Sequence, residues 1–463
     1  MSLAPSPTQL REFKTLIQKI LQPQQILSDP AERLAYGVDN SRLQALPDLV
    51  LLPTTAEEIQ QIVLAARNHR VPIVTRGRGT GTTGAAVPRH GGVVLSTEQL
   101  CHLGPVEKNN RMIRVQSGVT NQQVQQAAAK AGLFWPPDPG SAAFCSVGGN
   151  IGCNAGGPRA VKYGATRDNV LGLSIVTGTG VLIHTGSHTT KHAVGLDLTR
   201  LVIGSEGTLA IVVDALLKLL PLPSAKLCVR IFYRQIEAAA EAIGAIMSRP
   251  IMPSALEFMD HHALELLRRQ GQTHIPQQAR ALLMIELDGS QQALQEDTGS
   301  LKKLIASTQP ISAEYASEAA EIEDLWQTRK ALSPALRHLA PKKINEDVVV
   351  PVAALPELIN GLDQLSERHQ IMVASFGHAG NGNIHVNLML EEHQTKLVSV
   401  YLNELFELTL KLRGSLSGEH GIGELKKEYL SLALEPEAIA LMKGIKKQFD
   451  PDGILNPGTG LPD

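Results

Sequence analysis

Side chains that bind metals and move protons lie close together in the C-terminal third of the chain. The stretch from His378 to Asn387 holds a second histidine, His385, and the pair Glu419 and His420 follows it. His385 and Asn387 stand two positions apart in a predicted strand, so their side chains point to the same face. Two imidazoles and one carboxylate, from His378, His385 and Glu419, leave coordination positions open, as a catalytic divalent metal site requires.

Glycines allow the two histidines to reach one place. Gly380 and Gly382 permit a tight return of the chain between His378 and His385. His420 is a titratable base beside a candidate ligand, and a neutral imidazole suits proton transfer near neutral pH. Core or surface packing is the alternative for any single histidine, but glycine, histidine and asparagine are poor residues for a strand that only packs. The combined pattern therefore predicts a metal site with an adjacent base.

Three glycine-rich loops in the first half predict a site for a large cofactor with a diphosphate and a ring. The first, residues 76–84, follows a predicted strand, but Pro88 and the glycines after it break any helix within a turn. The break excludes a dinucleotide-binding Rossmann motif, and a P-loop is excluded because no Lys-Ser or Lys-Thr follows Gly84. An anion nest of backbone N–H groups and threonine hydroxyls, or a plain surface loop, remains. Small side chains in residues 136–157 suit a flat, edge-polar ring, and residues 203–209 form the third loop.

Length and composition place the chain among globular proteins of two or three domains. It has 463 residues, of which 43% are hydrophobic and 19% are charged. A net charge of -2 and 3% aromatic residues give no reason to expect nucleic acid binding. The four cysteines form no CxxC pair, which favours a reducing, cytoplasmic location. We expect no transmembrane helix and no signal peptide, while peripheral membrane association is left open.

The order of the predicted elements indicates an α+β fold. The first half mixes helices and strands, with a hairpin over residues 171–185, and the prolines Pro221 and Pro223 mark the first domain boundary. Later strands alternate irregularly with helices, including one helix over residues 318–338. This order predicts an antiparallel sheet covered by helices on one side. The expected divisions of the chain are residues 1–222, 223–414 and 415–463.

The motifs together resemble a known family, the flavin-dependent oxidoreductases with the vanillyl-alcohol-oxidase type of FAD-binding domain. The nearer similarity is to the D-2-hydroxy-acid branch, which holds D-lactate dehydrogenase, the catalytic subunit of glycolate oxidase and D-2-hydroxyglutarate dehydrogenase. The resemblance implies a two-part FAD-binding domain, a substrate domain built on the antiparallel sheet, and a C-terminal segment that folds back on the first domain. It covers nearly the whole chain and rests on residues 76–84, 139–157, 204–209, 378–387, 418–421 and 456–458.

The resemblance also implies a set of FAD-binding residues. In the family the first loop wraps the diphosphate, and the second segment lines the flavin and adenosine portions. Some relatives link FAD covalently to a histidine in the first loop, but no histidine lies between Arg76 and Pro88, which favours a noncovalent cofactor. The implied FAD-binding residues are Arg76, Gly77, Arg78, Gly79, Thr80, Gly81, Thr82, Gly84, Pro139, Ser141, Cys145, Ser146, Gly149, Asn150, Asn154, Gly156, Gly207, Ile211 and Asn456.

The metal and proton-transfer residues fit one reaction, the oxidation of a D-2-hydroxy acid to a 2-keto acid. The reaction removes the hydroxyl proton and a hydride from C2, and N5 of the flavin accepts the hydride. A divalent metal would lower the pKa of the substrate hydroxyl and chelate the neighbouring carboxylate. The resemblance gives His378, His385 and Glu419 as metal ligands, Asn387 as a supporting residue and His420 as the base. Its metal is Zn²⁺ or a similar ion, with Mn²⁺ and Fe²⁺ left open.

A carboxylate substrate also requires a cation, and Arg329 is the candidate. Arginine binds carboxylates through two N–H groups, and Ser333 lies one turn later on the same face of the predicted helix. A solvated helix face is the alternative for Arg329 alone, but members of the family place an arginine here. A lysine follows in the family, and Lys343 is the nearest candidate, with Lys342 as the alternative.

These expectations favour a D-2-hydroxy-acid dehydrogenase, with alternative substrates within that class and alternative classes of protein outside it. D-lactate is the favoured acid, and a glycolate oxidase catalytic subunit or a D-2-hydroxyglutarate dehydrogenase are the alternatives. A flavin-free metal hydrolase and a noncatalytic flavoprotein or assembly subunit represent other classes. The expected partners are a small D-2-hydroxy acid and an electron acceptor, which is a quinone, a cytochrome, an electron-transfer flavoprotein or a partner subunit. A homodimer and peripheral attachment to the inner face of the membrane are left open.

Overall fold

The computed structural model of the chain describes residues 4–336 and 341–462, and of Ser333 and Pro334 it describes only the backbone. The strands, in chain order, are β1 (Ile26–Leu27), β2 (Leu49–Leu51), β3 (Ile73–Arg76), β4 (Val93–Ser96), β5 (Met112–Gln116), β6 (Leu133–Phe134), β7 (Val170–Thr177), β8 (Leu182–Gly186), β9 (Ala210–Lys218), β10 (Leu220–Pro221), β11 (Ala225–Tyr233), β12 (Ala255–Met259), β13 (Ala281–Gly289), β14 (Ser312–Ala316), β15 (Lys342–Val349), β16 (Met372–His378) and β17 (Asn383–Leu390). The α-helices are α1 (Pro7–Ile20), α2 (Pro30–Leu34), α3 (Ala56–His69), α4 (Asn121–Lys130), α5 (Val147–Cys153), α6 (Ala160–Tyr163), α7 (Leu198–Val202), α8 (Ile236–Met247), α9 (His261–Arg269), α10 (Gln291–Ser307), α11 (Ala319–Lys330), α12 (Leu332–Leu336), α13 (Leu355–His369), α14 (Val398–Lys411), α15 (Leu430–Ala433) and α16 (Pro436–Phe449).

These elements form two compact units. Unit 1 consists of Met1–Gly157, Gly164–Leu222 and Glu419–Asp463, and unit 2 consists of Pro158–Tyr163 and Pro223–Gly418. Unit 1 therefore holds the three glycine-rich segments, and unit 2 holds the strand with His385. Across residues 4–336 and 341–462, no helix is long and apolar enough to cross a membrane.

The first sheet of unit 1 has the strand order β1–β2–β4–β3. Strands β2, β4 and β3 run parallel and are buried at nearly every position, which explains why β2 is wholly apolar and why β3 and β4 begin with apolar residues. Helix α3 packs in the same apolar core because Ile59, Ile62 and Val63 share one face. The hydroxyl of Thr55 caps this helix by accepting the N–H of Glu58.

The second sheet of unit 1 is antiparallel, with the order β5–β9–β7–β8. The predicted hairpin is confirmed, since β7 ends at Thr177, β8 begins at Leu182, and Gly180 between them has a φ of 79°. The C-terminal segment also belongs to unit 1, where Leu455 forms a parallel bridge with Ile73. The return of this segment to the first domain, expected from the resemblance, is therefore observed.

Unit 2 is built on an antiparallel sheet whose described strands lie in the order β14–β11–β13–β12–β16–β17–β15. The predicted antiparallel sheet is confirmed, but the expectation of helices on one side only is wrong. Residues of α9, α11 and α12 form one apolar cluster with Met259 and Phe376 on one face. On the other face, the hydroxyl of Thr308 at the end of α10 lies 2.9 Å from the hydroxyl of Tyr233. Both faces are covered, and the central strands β13 and β17 are accordingly buried at nearly every position.

The single helix predicted over residues 318–338 is interrupted. Helix α11 ends at Lys330, and α12 begins at Leu332. In a continuous helix Pro334 would have to donate an N–H to the carbonyl of Lys330, and proline has none. A new helix beginning just before Pro334 places the proline in a first turn, where no such bond is needed. Arg329 therefore lies in α11 and Ser333 in α12, and their shared face stays a prediction because the side chain of Ser333 and residues 337–340 lie outside the described part.

Candidate active site

The first glycine-rich segment leaves β3 at Arg76 and continues without a helix, as predicted. Arg76 is buried, lies against Gly79, and donates through its guanidinium to the carbonyl oxygens of Val38 and Ala35. It therefore supports the loop. The hydroxyl of Thr82 is shielded from solvent and has no hydrogen-bond partner among the described residues. A polar group buried in this way fits a loop that closes on a bound polar molecule.

The second segment is partly helical, which corrects the expectation of a continuous glycine-rich loop. Helix α5 begins after Ser146, whose hydroxyl accepts a backbone N–H of the first turn, and it ends at Cys153, just before Asn154, which has a φ of 54°. Asn150 inside the helix is buried and donates to the side-chain oxygen of Asn121. The two helix caps supply hydrogen bonds that compensate for the weak helix propensity of the glycines.

Close packing joins the glycine-rich segments to Glu419 inside unit 1. A Cβ atom on Gly77 would lie 2.5 Å from Oγ of Ser146, and a Cβ atom on Gly156 would lie 2.8 Å from Oε2 of Glu419. A side chain at Gly77 would displace the hydroxyl of Ser146, and one at Gly156 would displace the carboxyl end of Glu419. Gly77 of the first glycine-rich segment therefore contacts Ser146, the cap at the start of α5. Gly156, at the end of the second segment, contacts Glu419, a candidate metal ligand.

Asn456 ties three parts of unit 1 together. Its Oδ1 accepts the N–H of Thr75 at 2.8 Å, and its Nδ2 donates to the carbonyl oxygens of Ala85 at 3.0 Å and Glu206 at 2.6 Å. Thr75 precedes the first glycine-rich loop and Ala85 follows it. The amide of Asn456 therefore holds both ends of the loop and the third segment beside it.

Glu206, in the third segment, holds the turn that follows His420. Its two oxygens accept the N–H of Gly423 at 2.9 and 3.1 Å, and the hydroxyl of Thr83 donates to it at 3.3 Å. Burial raises the pKa of Glu206 to about 7, although these hydrogen bonds oppose the shift. The sequence analysis treated this segment only as a cofactor loop. The available sequence signal for its second role was an acidic residue between Gly204 and Gly207.

The other residues of the implied FAD set all belong to unit 1. Ile211 is part of the buried face of β9, and burial raises the pKa of the Cys145 thiol. Arg78 and Gly81 are exposed, whereas Gly84 is buried. The half-buried members, which suit the lining of a site, are Gly77, Gly79, Thr80, Thr82, Pro139, Ser141, Gly149, Asn154 and Gly207.

Unit 2 places His378 and His385 side by side on β16 and β17. A 3-10 turn over Ala379–Asn381 joins the strands, and Gly382 has a φ of 72°. A Cβ atom on Gly382 would lie 1.8 Å from the carbonyl oxygen of Val350, so the predicted tight return requires glycine. Both histidines are buried, and their rings meet edge to face with centroids 5.2 Å apart. Their ligand nitrogens lie within 4.8 Å of each other, which allows one ion to bind both.

A buried carboxylate that the sequence analysis did not single out joins His378 to Arg329. Oε1 of Glu257 lies 2.6 Å from Nδ1 of His378, and Oε2 accepts Nε–H of Arg329 at 2.8 Å. The guanidinium of Arg329 also lies over the ring of Phe376, 4.5 Å from its centroid. Burial by itself would raise the pKa of Glu257, but the charges of His378 and Arg329 and their hydrogen bonds lower it to about 2. The one sequence signal was an acidic residue inside the otherwise apolar strand β12.

Strand pairing places Lys343 on the sheet face that carries Asn387 and His385. Directly opposed residues of an antiparallel pair project to the same face, and Asn345 of β15 opposes Asn387 of β17. Lys343 is two positions from Asn345 and therefore shares its face, whereas Lys342 projects to the opposite face and is exposed.

Hydrogen bonds on both sides hold the amide of Asn387. It is fully buried, its Nδ2 donates to the carbonyl oxygens of Ala374 at 3.1 Å and His385 at 3.3 Å, and its Oδ1 accepts Nδ2–H of Asn345 at 3.1 Å. These bonds stabilise the part of β17 that carries His385. Asn387 therefore has a supporting position next to the histidine pair.

Hydrogen bonds to Asp347 hold the last residues of unit 2 just before Glu419 and His420. The N–H of Gly418 donates to Oδ2 of Asp347 at 2.8 Å, and the hydroxyl of Ser417 donates to the same carboxylate at 3.0 Å. Asp347 is the residue of β15 that pairs with His385. Glu419 is the next residue along the chain and begins the last segment of unit 1.

A second group of metal-binding side chains lies at the start of α9. Ligand atoms of His261, His262 and Asp363 lie within 4.8 Å of one another. Burial, together with the charges of His262 and Arg280, lowers the pKa of His261 to about 4. The sequence pattern did not predict this group.

Comparison with known proteins identifies the class to which this architecture belongs. The sequence matches the FAD binding domain over residues 47–186 and the C-terminal domain of FAD linked oxidases over residues 222–459. It is 36% identical to Glycolate oxidase subunit GlcD of Bacillus subtilis (strain 168), over 97% of this chain and 96% of that protein. It is 33% identical to D-lactate dehydrogenase of Anaerostipes hadrus, over 98% and 97% of the two chains. It is 31% identical to D-2-hydroxyglutarate dehydrogenase of Stutzerimonas stutzeri (strain A1501), over 98% of each.

Solved structures agree on the fold. The structure of p-cresol methylhydroxylase with substrate bound matches with a TM-score of 0.82 and 16% identity, over 99% of this chain and 98% of the other. The fold and the sequence matches define an FAD-linked oxidoreductase. The chain belongs to the family of FAD linked oxidases, and the resemblance drawn from its motifs is confirmed. Membership of this family argues against the flavin-free metal hydrolase.

Proposed function

We propose that the chain oxidises a D-2-hydroxy acid to the 2-keto acid with FAD and a divalent metal, and that D-lactate is its substrate. The observation that carries the proposal is the group of His378, His385 and Arg329 in unit 2. It combines metal-binding nitrogens with a cation for a carboxylate. The relatives named for glycolate, D-lactate and D-2-hydroxyglutarate support the substrate class.

Unit 1 would hold FAD without a covalent link. When bound, FAD accepts a hydride from the substrate carbon. Residues 76–84 would contact the diphosphate, and residues 139–157 would line the ring. Support comes from the buried hydroxyl of Thr82, which lacks a hydrogen-bond partner among the described residues. No histidine between Arg76 and Pro88 is available for a covalent bond.

His378, His385 and Glu419 would hold the metal. When bound, a divalent ion lowers the pKa of a hydroxyl group that it contacts. Imidazole and carboxylate ligands favour Zn²⁺, and Mn²⁺ and Fe²⁺ are the alternatives. The donor set fits because His378 is oriented by a buried carboxylate through its other ring nitrogen, an arrangement that is common for metal-binding histidines.

The remaining residues would bind the acid and move its proton. Arg329 would bind the substrate carboxylate with the terminal nitrogens of its guanidinium, because Nε already donates to Glu257. Lys343 shares the sheet face of His385 and would add a second positive charge, and Asn387 would support the same face. Ser333 would contribute a hydroxyl. His420 would take the proton of the substrate hydroxyl.

A substrate panel with an artificial dye as electron acceptor tests the proposal. Purified protein, loaded with FAD and Zn²⁺, is mixed with D-lactate, L-lactate, glycolate and D-2-hydroxyglutarate. We expect the flavin absorbance to bleach under D-lactate and the dye to be reduced. Preference for glycolate or D-2-hydroxyglutarate would move the assignment to the corresponding relatives. A protein that binds no FAD, or whose flavin is not reduced by any 2-hydroxy acid, would overturn the proposal.

The physiological acceptor belongs to the same proposal. Candidates are a quinone, a cytochrome, an electron-transfer flavoprotein or a partner subunit, and the relative named as a glycolate oxidase subunit supports the last. We further propose a cytoplasmic protein, either free or attached to the inner face of the membrane, that forms a homodimer. Reoxidation of the substrate-reduced protein by each acceptor, followed in a stopped-flow instrument, distinguishes the acceptors.

A further inference from the structure

Glu257 occupies a central position in the candidate site of unit 2, although the proposed function uses it neither as a ligand nor as a substrate contact. It lies in the middle of β12 and is 0% exposed. Its pairing partner in β16 is His378. The register of an antiparallel ladder determines which side chains face each other, so Glu257 cannot move away from His378 without loss of backbone hydrogen bonds.

The two carboxylate oxygens of Glu257 serve different partners. Oε1 bonds to Nδ1 of His378, and Oε2 bonds to Nε of Arg329. An ionised carboxylate only accepts hydrogen bonds, so the hydrogen of this pair resides on Nδ1 of His378. A metal can then bind this histidine only through Nε2. The bond to Nε of Arg329 likewise directs the two terminal nitrogens of the guanidinium toward any substrate carboxylate.

We propose that Glu257 is a positioning residue that sets the tautomer of His378 and the direction of Arg329 at the same time. The inference rests on the proposed function, in which His378 binds the metal and Arg329 binds the acid. One buried carboxylate would thereby couple metal binding to acid binding. An amide cannot replace it, because glutamine offers a single acceptor oxygen and would turn its NH₂ group toward one of the two donors.

The test compares Glu257→Gln with Glu286→Gln. Glu286 is a matched control, since it is also a buried carboxylate of the same sheet, in the neighbouring strand β13. Its hydrogen-bond partners are Lys226, Ser254 and Trp326. A general loss of sheet stability would affect both variants, whereas a positioning role belongs to Glu257 alone.

Two measurements are made on each protein with FAD bound. The first is the affinity of the metal-free protein for Zn²⁺, from competition with a chromophoric chelator. The second is the KM for D-lactate at saturating Zn²⁺. For Glu257→Gln we expect a 10- to 100-fold weaker Zn²⁺ affinity, the usual effect of removing a partner of a metal-binding histidine, and a KM raised by about tenfold or more. Glu286→Gln should retain both values.

The outcomes separate this inference from the proposed function. A folded Glu257→Gln protein with wild-type Zn²⁺ affinity and wild-type KM would overturn the positioning role alone. A wild-type protein that neither binds Zn²⁺ nor oxidises a D-2-hydroxy acid would overturn the proposed function and this inference with it. If Glu257→Gln does not fold, Glu257→Asp takes its place. Its carboxylate is one methylene shorter and cannot reach both donors, so the same two losses are expected.

Discussion

The carboxyl group of Glu206 binds the backbone N–H of Gly423 with both oxygens, at 2.9 and 3.1 Å. Gly423 lies three residues after His420, and Gly421 between them has a φ of 87°. The turn that carries the candidate base is thus held by a buried group whose pKa is raised to about 7 by burial. The stability of unit 1 should therefore depend on the protonation of Glu206.

Glu206→Gln should flatten the pH dependence of stability between the ordinary pKa of 4.5 and the raised value of about 7. Because the folded state holds this proton more tightly than the unfolded state, its contribution to stability is complete below the lower value and is lost as pH rises through the upper one. The loss amounts to about 3 kcal/mol. Urea unfolding of both proteins across this pH range, with FAD bound, measures it. A variant that keeps the full slope of the wild type would refute the role of Glu206.

His420→Ala should leave FAD bound and slow flavin reduction by at least about 10²-fold, because a general base contributes this much to proton transfer. The measurement is the rate of flavin bleaching by D-lactate under anaerobic conditions, together with the ratio of flavin to protein absorbance. His393→Ala, at an exposed position, is the control and should reduce at the wild-type rate. If His420→Ala also reduces at that rate, another group takes the proton.

Removal of the metal should abolish turnover without releasing the flavin. The two candidate histidine ligands belong to unit 2, whereas the implied FAD residues belong to unit 1 together with Glu419, the third candidate ligand. Chelator-treated protein should therefore keep its flavin absorbance after gel filtration, lose activity toward D-lactate, and regain it with Zn²⁺. Metal analysis of the treated protein is the control. Full activity in exhaustively metal-free protein would mean that the histidine pair is structural or contacts the substrate directly.

Arg329→Lys should raise the KM for D-lactate, with a loss of about 1.5–3 kcal/mol of transition-state stabilisation. Lysine keeps the charge but loses the planar fork, which here combines a bond to Glu257 with contact to the ring of Phe376. Ser333→Ala removes a neutral group and should cost about 0.5–1.5 kcal/mol. The order of the two effects is decisive. A larger effect at Ser333 would show that the anchor has been misassigned.

Lys343→Ala should weaken binding of the acid, whereas Lys342→Ala should not. The two lysines are neighbours in β15 and project to opposite faces, and only Lys343 shares the face of His385. Since the substitutions remove the same side chain one position apart, each controls for the other. Steady-state KM values for D-lactate provide the measurement. Equal KM values for the two variants, or a raised KM for Lys342→Ala alone, would show that the orientation of Lys343 in β15 does not determine binding of the acid.

Much of the candidate site was predictable because its determinants are local in the chain. The spacing of His385 and Asn387 in a strand, and the glycines that return the chain to His378, follow from backbone geometry over a few residues. The absence of a helix after the first glycine-rich loop follows from Pro88 in the same way. The break between α11 and α12 was also locally encoded, since Pro334 lacks the N–H that a continuous helix requires. Pro334 therefore indicates this break from the sequence alone.

Tertiary structure alone decided what surrounds these residues. Glu257 and His378 are 121 positions apart, and nothing in the strand Ala255–Met259 indicates which charge its carboxylate will face. The pairing of β12 with β16 places Glu257 opposite His378. The pairing of β15 with β17 places Lys343, and not Lys342, on the sheet face of His385. The sequence determined which side chains could do chemistry, because residue type and local spacing are properties of the chain. Their partners depend on strand register, which is set by the burial of both faces of the whole sheet.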